Sequence, residues 1–394
     1  MLPLSSIRVL DLSRVLAGPY CTMMLGDLGA EVIKVERPGT GDDTRAWGPP
    51  FAAGESAYYL CCNRNKQSIT INLKTERGRQ LVTELADKSD VLVENFLPGQ
   101  LAEWGLGYEA LSQRNPGLIY CSLTGFGQTG PLRDEPGYDI MIQAMSGVMS
   151  ITGEATGSPM KLGVAISDLT CGMFAANAIL AALFARQTTG RGDFIDMALF
   201  DSTLAWLANV GSNYLVSGKI PQRLGTAHPN IVPYQAFAAA DESLILAVGN
   251  DAQFAKLCGI LNTPWAADPR FQTNAERVRH RDELLPPLAA LLKLQPAAHW
   301  LKAFEAAGIP CGPVNTVDRA LEHPQTQARG MVREVEHPTI GPLRVVGSPL
   351  HFGSQPSLPA TPPPRLGEHT ARILENLLGL TSAEVAALVL DKIV

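Results

Sequence analysis

Asp168 is the residue with the clearest chemical promise. It falls where an extended apolar segment turns into a long apolar helix, in KLGVAISDLTCGMFAANAILAALFAR. A carboxylate there meets the free N–H groups and the positive dipole end of a helix, which favour its ionised form. Such a group is either an N-cap, a task Ser167 beside it can also perform, or a covalent nucleophile. Gly172, Ala175 and Ala176 follow on the same helix and are small enough to let another segment or a ligand approach closely.

Other motifs point to chemistry that their surroundings do not support. GFGQTG (125–130) matches G-x-G-x-x-G after a predicted strand, but Pro131 and Pro136 predict an extended loop where a dinucleotide fingerprint needs a helix to open. Glu36, at the end of the second predicted strand, reads as a surface acid. The histidines at 228, 280, 299, 323, 337, 351 and 369 include no i, i+4 pair and no H-E-x-x-H, so no metal is expected. G-x-S-x-G is missing, which disfavours a serine hydrolase. Seven cysteines, with no C-x-x-C, sit mostly in apolar stretches and read as reduced thiols of a reducing, cytoplasmic compartment.

The elements that must position these groups alternate in type. IRVLDLS (7–13), EVIKVER (31–37), VLVENF (91–96), LIYCSL (118–123) and DFIDMAL (193–199) read as strands. Between them, helices are predicted over 19–30, 75–90, 107–116 and 169–187, an order that makes a parallel, doubly wound α/β unit. From about residue 217 the character changes. SGKIPQRLGTAHPNIVPYQ reads as a crossover, a strand is predicted over 243–249, and helices over 251–260, 274–294 and 298–307 suggest a smaller α+β module. A hairpin over 331–347, a proline-rich stretch at 355–364 and two helices follow, the last with a capping box at Thr381–Glu384. The expected domains are 1–216 with 330–394, and 225–329.

Composition sets the outer bounds. The chain has 394 residues, 46% hydrophobic, 18% charged, with a net charge of −6 and no long basic run, so neither nucleic acid nor an anionic membrane surface is an expected partner. The apolar stretch 173–185 is shorter than the ~20 residues that span a bilayer and reads as a buried helix. Arg8, Asp11 and Arg14 interrupt the apolar run that a signal peptide needs.

Taken together, VLDLSRVLAGPYCTMMLGDLGAEVIKVERPGTGDDTR (9–45), Asn95–Phe96 followed by LPG, SLTGFGQTGP, Gly137–Tyr138–Asp139 and Asp168 resemble the class III CoA-transferases, the formyl-CoA and carnitine CoA-transferase family. RLGTAHPNIVPYQAF (223–237) and VGN followed by QF (248–254) most resemble the succinyl-CoA:glutarate branch. The resemblance implies a Rossmann-like large domain built from both chain ends, a small domain, and two ring-shaped subunits interlocked as a homodimer. It implies Asp168 as the nucleophile, acyl-CoA and a short dicarboxylic acid as substrates, and no permanently bound cofactor. CoA contacts would fall on Leu16, Ala17, Arg37, Asn72, Leu73, Lys74, Asn95, Phe96, Tyr138 and Asp139. Gly249 and Asn250 would supply oxyanion-stabilising amides, and Arg45, Arg223 or His228 would hold the carboxylate that does not react. Many relatives carry an arginine where this chain has Ala102, Glu103 and Trp104. An α-methylacyl-CoA racemase of the same fold, disfavoured by the lack of any histidine before His228, and a non-catalytic CoA-binding protein are the alternatives.

Overall fold

Runs of apolar, β-branched residues flanked by helices on both sides make strands buried on both faces. Four such strands at the centre and two less apolar ones at the edges form one parallel sheet: β1 (Arg8–Asp11), β2 (Glu31–Glu36), β3 (Lys66–Thr70), β4 (Val91–Glu94), β5 (Ile119–Thr124) and β6 (Phe194–Ala198), in the order β3-β2-β1-β4-β5-β6. The computed structural model describes residues 2–354 and 358–394; residues 355–357, the start of the expected proline-rich stretch, lie outside the described residues. Alternate residues of each strand enter two different cores. Val9, Val32, Val91 and Val93 pack with Cys21 and Leu25 of helix α1 (Ala17–Asp27). Leu10, Ile33, Ile69 and Leu92 pack with Leu81 and Leu85 of helix α2 (Glu76–Ala86).

β3 was not foreseen, because KQSIT carries too many polar residues to read as a core strand. Lys66 and Ser68 are nevertheless buried, each with a partner: Lys66 Nζ lies 3.2 Å from Asp11 Oδ2 and Ser68 Oγ donates to Glu36 Oε1 at 2.6 Å. The outer edge of β3 is covered by chain some 300 residues later. His369 N donates to the Ser68 carbonyl (2.9 Å), and Thr70 N donates to Thr370 Oγ1 (3.0 Å). Just beyond the strand, Asn72 N donates to the Ile393 carbonyl (2.7 Å).

Helix α3 (Asp139–Met145) precedes α4 (Ile166–Thr189), which extends past the expected 169–187 at both ends. By length and composition α4 would be able to cross a bilayer. In this fold Cys171, Ala175, Ala176 and Ile179 instead pack into the core beside α1.

Chain contacts define two units, Met1–Ser146 with Leu162–Trp206 and Pro324–Val394, and Gly147–Lys161 with Leu207–His323. The divisions expected after 216 and at 330 thus fall at Trp206 and Pro324, and segment 147–161, expected in the first domain, goes with the second. Long-range contacts without a periodic signature cause this: Gly225 N donates to the Gly153 carbonyl (3.0 Å), and Arg223 reaches the carbonyls of Ser150, Glu154 and Gly157. The second unit contains an antiparallel sheet of β7 (Tyr234–Ala238), β8 (Ser243–Ala247) and β9 (Cys311–Pro313) in the order β9-β8-β7. β7 begins in the last two residues of the segment read as a crossover and runs on to Ala238, and the helix expected over 274–294 breaks at His280 into Asn274–Arg279 and Arg281–Leu292.

Candidate active site

Between β1 and β4 the order of the parallel sheet changes direction, and ligands of such sheets gather beyond the carboxyl ends of the strands at that point. The loops that leave β1 and β4 there, residues 12–16 and 95–99, border a cleft of about 600 Å³ lined by Arg14, Ala17, Asn95, Tyr138 and Asp168. A second cavity, of about 180 Å³, is lined by Arg37, Asn72, Leu73, Lys74 and Trp104. Arg14, Phe96 and Gln100 line both. The expected CoA contacts are thereby gathered in two adjoining groups, except Leu16, which is buried against Met23 and Cys62, and Asp139, which lines neither.

Asp168 is the third residue of α4, whose N-cap is Ala165, so neither Asp168 nor Ser167 is the cap. Ala17, the first residue of α1, lines the cleft with Asp168, and its N–H lies close enough to draw the Asp168 carboxyl downward, so two helix starts converge on it. The carboxyl is nonetheless pushed up to about 7, by burial and then by the nearby Asp139, against the pull of the Ala17 N–H. This runs against the expectation that the helix terminus favours its ionised form. Asp139 is fixed in turn: its carboxylate accepts from Ser167 N (2.9 Å) and Gln143 Nε2 (2.7 Å). Tyr58 faces the same group, and burial together with the Asp168 charge raises its phenol.

Small residues bring these segments together. A Cβ on Gly125 would lie 2.6 Å from the Cα of Gly137, so the first glycine of GFGQTG permits a close backbone crossing. Trp104 packs edge-on against Phe96 with ring centres 6.0 Å apart.

The groups expected to hold a substrate carboxylate have other employment. Arg45 makes two bonds to Glu36 (2.7 and 2.8 Å), one to Glu55 (3.2 Å) and one to the Pro364 carbonyl (3.1 Å), and lies over the Tyr59 ring. Glu36 is therefore a buried ion-pair partner and not a surface acid. In the second unit, Arg223 braces three carbonyls of segment 147–161, and His228 accepts through Nδ1 from Asn230 N (3.0 Å). There too, Gly249 donates its N–H to Gln253 Oε1 (2.7 Å), while Asn250 caps helix α5 (Asp251–Ile260).

Arg14 was overlooked as a separate candidate, although it stands inside the quoted SRVLAGP run. Among the described residues it is the one basic side chain lining the cleft with Asp168. Its guanidinium lies 5.5 Å from the Phe96 ring centre, Nη1 reaches Asp43 at 3.1 Å, and Nε is buried without a hydrogen-bond partner. Among the described residues no group of His, Cys, Asp or Glu is placed to hold a metal ion.

The model of the CoA-transferase family III matches residues 4–370. The chain is 50% identical over 379 residues to the succinyl-CoA:glutarate CoA-transferase of Mus musculus, covering 96% of this chain and 87% of that protein. It is 49% identical over 382 residues to the succinate–glutarate CoA-transferase of Agrobacterium fabrum, covering 95% and 96%. The crystal structure of a CAIB/BAIF family protein from Brucella suis superposes with a TM-score of 0.85 at 45% identity, over 95% of this chain and 99% of that one.

Proposed function

Because the chain belongs to CoA-transferase family III, we propose that it moves CoA from succinyl-CoA to a short dicarboxylic acid such as glutarate, with Asp168 as nucleophile. The observation that carries this is the partly buried Asp168 carboxylate in the cleft at the sheet's switch point, with Ala17 at the start of α1 lining the same cleft. Two relatives at about half identity are named for succinyl or succinate and glutarate.

In this reading an Asp168 oxygen attacks the thioester carbonyl of the donor, the C–S bond breaks, and an aspartyl-acyl anhydride and CoA thiolate result. The thiolate attacks the aspartyl carbonyl, releasing the donor as its free carboxylate and leaving an aspartyl-CoA thioester. The acceptor carboxylate displaces that thiolate to form a second anhydride. CoA then attacks the acceptor's acyl carbon and returns Asp168 to a carboxylate. No electron is transferred and thioester energy is retained throughout, so ATP has no role. The Ala17 N–H is positioned to steady negative charge on the aspartyl group.

The anionic groups of the substrates need cations in a net acidic protein. Arg37 and Lys74 are exposed beside the second cavity and suit the phosphates of CoA. For the carboxylate that does not react, Arg14 replaces Arg45 as our assignment, since Arg14 lines the cleft with Asp168 and its Nε has an unused donor, whereas four of the five Arg45 N–H donors are engaged. A homodimer of interlocked rings, implied by the family resemblance, is part of the same proposal.

The test is incubation with succinyl-CoA followed by intact-mass measurement. A CoA adduct on Asp168, lost in Asp168→Asn, is the expected result. Deuterium exchange at the α-carbon without an adduct would instead indicate racemase chemistry, and neither signal would indicate a CoA-binding protein.

A further inference from the structure

The loop from β1 to α1 contains a residue in an unfavourable conformation. Val15 has φ +71°, in the left-handed region, which a β-branched residue enters at a cost on the order of 1–3 kcal/mol. Such a conformation persists only where its surroundings outweigh that cost.

Here the surroundings account for every backbone polar group of residues 13–15, in each case with a side chain. Ser13 N donates to Asp11 Oδ1 (3.0 Å) and the Ser13 carbonyl accepts from Lys34 Nζ (2.8 Å). Arg14 N donates to Asn95 Oδ1 (2.9 Å), and Asn95 Nδ2 donates back to the Arg14 carbonyl (2.7 Å). Val15 N is shared between the two oxygens of Asp42, 3.3 Å from each, and its carbonyl lies 3.9 Å from Cys62 Sγ. Two residues further on is Ala17, which lines the same cleft as Val15 and Asp168 and whose N–H draws the Asp168 carboxyl downward.

Asp42 is itself immobilised. It forms an ion pair with Lys34 at 2.9 Å in which both side chains are fully buried. Its carboxylate also accepts from Thr44 N (3.0 Å) and Thr44 Oγ1 (2.8 Å), and its own N–H donates to Glu36 Oε2 (3.0 Å), the carboxylate that Arg45 holds. Neutralising a buried lysine requires a carboxylate. It does not require one placed evenly against the N–H of a strained residue.

We propose that Asp42 is a positioning residue for transfer: seated on Lys34, it locks the Val15 peptide in its left-handed turn and so aims the Ala17 N–H at Asp168. The proposal rests on the reading of Asp168 as nucleophile.

The test removes the acceptor without stranding a charge, in the double variant Asp42→Leu with Lys34→Met. We expect a folded protein whose kcat falls at least thirtyfold while KM for succinyl-CoA stays within about fivefold, and whose CoA adduct forms correspondingly slowly. Adding Val15→Gly restores at least fivefold in kcat, because glycine enters the left-handed region unaided; a purely structural role for Asp42 gives no such rescue. Wild-type kcat in the double variant, or a loss that Val15→Gly does not relieve, overturns the proposal. Should the double variant not fold, Val15→Gly in the intact protein decides. Release of the strain keeps or raises the unfolding temperature, and a drop of several degrees means that Val15 is not strained and the proposal fails. Asp168→Asn run alongside separates the two claims. If that variant still forms the adduct, the nucleophile reading falls; if it does not while the double variant does so at wild-type rate, only the positioning role falls.

Discussion

Gly172 and Ala17 meet backbone to backbone: a Cβ on Gly172 would lie 2.6 Å from the Ala17 carbonyl oxygen and 3.3 Å from Cys21 N. The start of α1 is thus seated directly on α4, one turn after Asp168. Gly172→Ala has no flexible side chain to displace. We expect about 1–3 kcal/mol of lost stability and a loss of turnover of roughly tenfold or more from the displaced Ala17 N–H, read by thermal unfolding and by steady-state rates.

Asp168 sets a pH dependence of activity. Since burial and Asp139 push its carboxyl up to about 7, kcat/KM is expected to rise with pH through that value and then level off. Asp139→Asn keeps an acceptor for Ser167 N but removes the like charge, so the acid limb should move to lower pH. An unmoved limb would show that Asp139 does not act on Asp168.

The same group bears on stability in a direction opposite to that of most carboxylates. Its pKa in the folded protein lies above the unfolded value near 4, so between about pH 4 and 7 the folded state holds a proton that the unfolded state has lost. This contribution to stability is present at low pH and is lost as pH rises through about 7. Glu94, pushed up to about 7 by burial, acts with the same sign. Asp168→Asn removes only the first contribution. Its unfolding temperature should therefore exceed the wild type's by a wider margin at pH 8 than at pH 5, a few degrees in a chain of this size.

Arg14 and Arg45 should separate cleanly. Arg45→Ala strands the buried Glu36 carboxylate and should cost about 3–5 kcal/mol, visible as a large drop in unfolding temperature. Arg14→Ala loses the half-exposed pair with Asp43 and the contact with the Phe96 ring, and should fold normally. In transfer from succinyl-CoA it should lower the preference for glutarate over valerate roughly ten- to a hundredfold. An equal loss for both acceptors would move Arg14 from the substrate carboxylate to an anionic group of CoA.

Assembly is open to a direct measurement. Phe184 on α4 is 76% exposed and Phe174 42%, on the face of the helix that the core does not use. With the family resemblance, this leads us to expect a homodimer at nanomolar concentration by sedimentation. A folded, active monomer would exclude it.

Much of this site could be read from the residues alone, and what could not has a physical reason. Asp168 stood out because an acid opened a helix of small and apolar residues, a local signal. The parallel sheet was legible because VLDL, VIKV and VLVE are near-continuous apolar runs. Lys34 and Lys66 were not: a lysine in a strand reads as a solvent-facing position, and the acids that let them be buried, Asp42 and Asp11, lie elsewhere in the sequence. Arg45 misled for the converse reason. A loop arginine looks free until the fold places Glu36, Glu55 and the Pro364 carbonyl around it.

The late-sequence cover on β3 imposes an order on synthesis. His369 and Thr370 cap the edge of a strand near residue 68, and Asn72, beside the second cavity, waits for the carbonyls of Lys392 and Ile393, 320 and more residues downstream. At ordinary translation rates that interval is on the order of tens of seconds. Throughout it the growing chain presents an unpaired strand edge, the feature most apt to recruit a neighbouring nascent chain. Ribosome-bound chains stopped before residue 367 should therefore depend on chaperones in a way that chains extended through residue 394 do not.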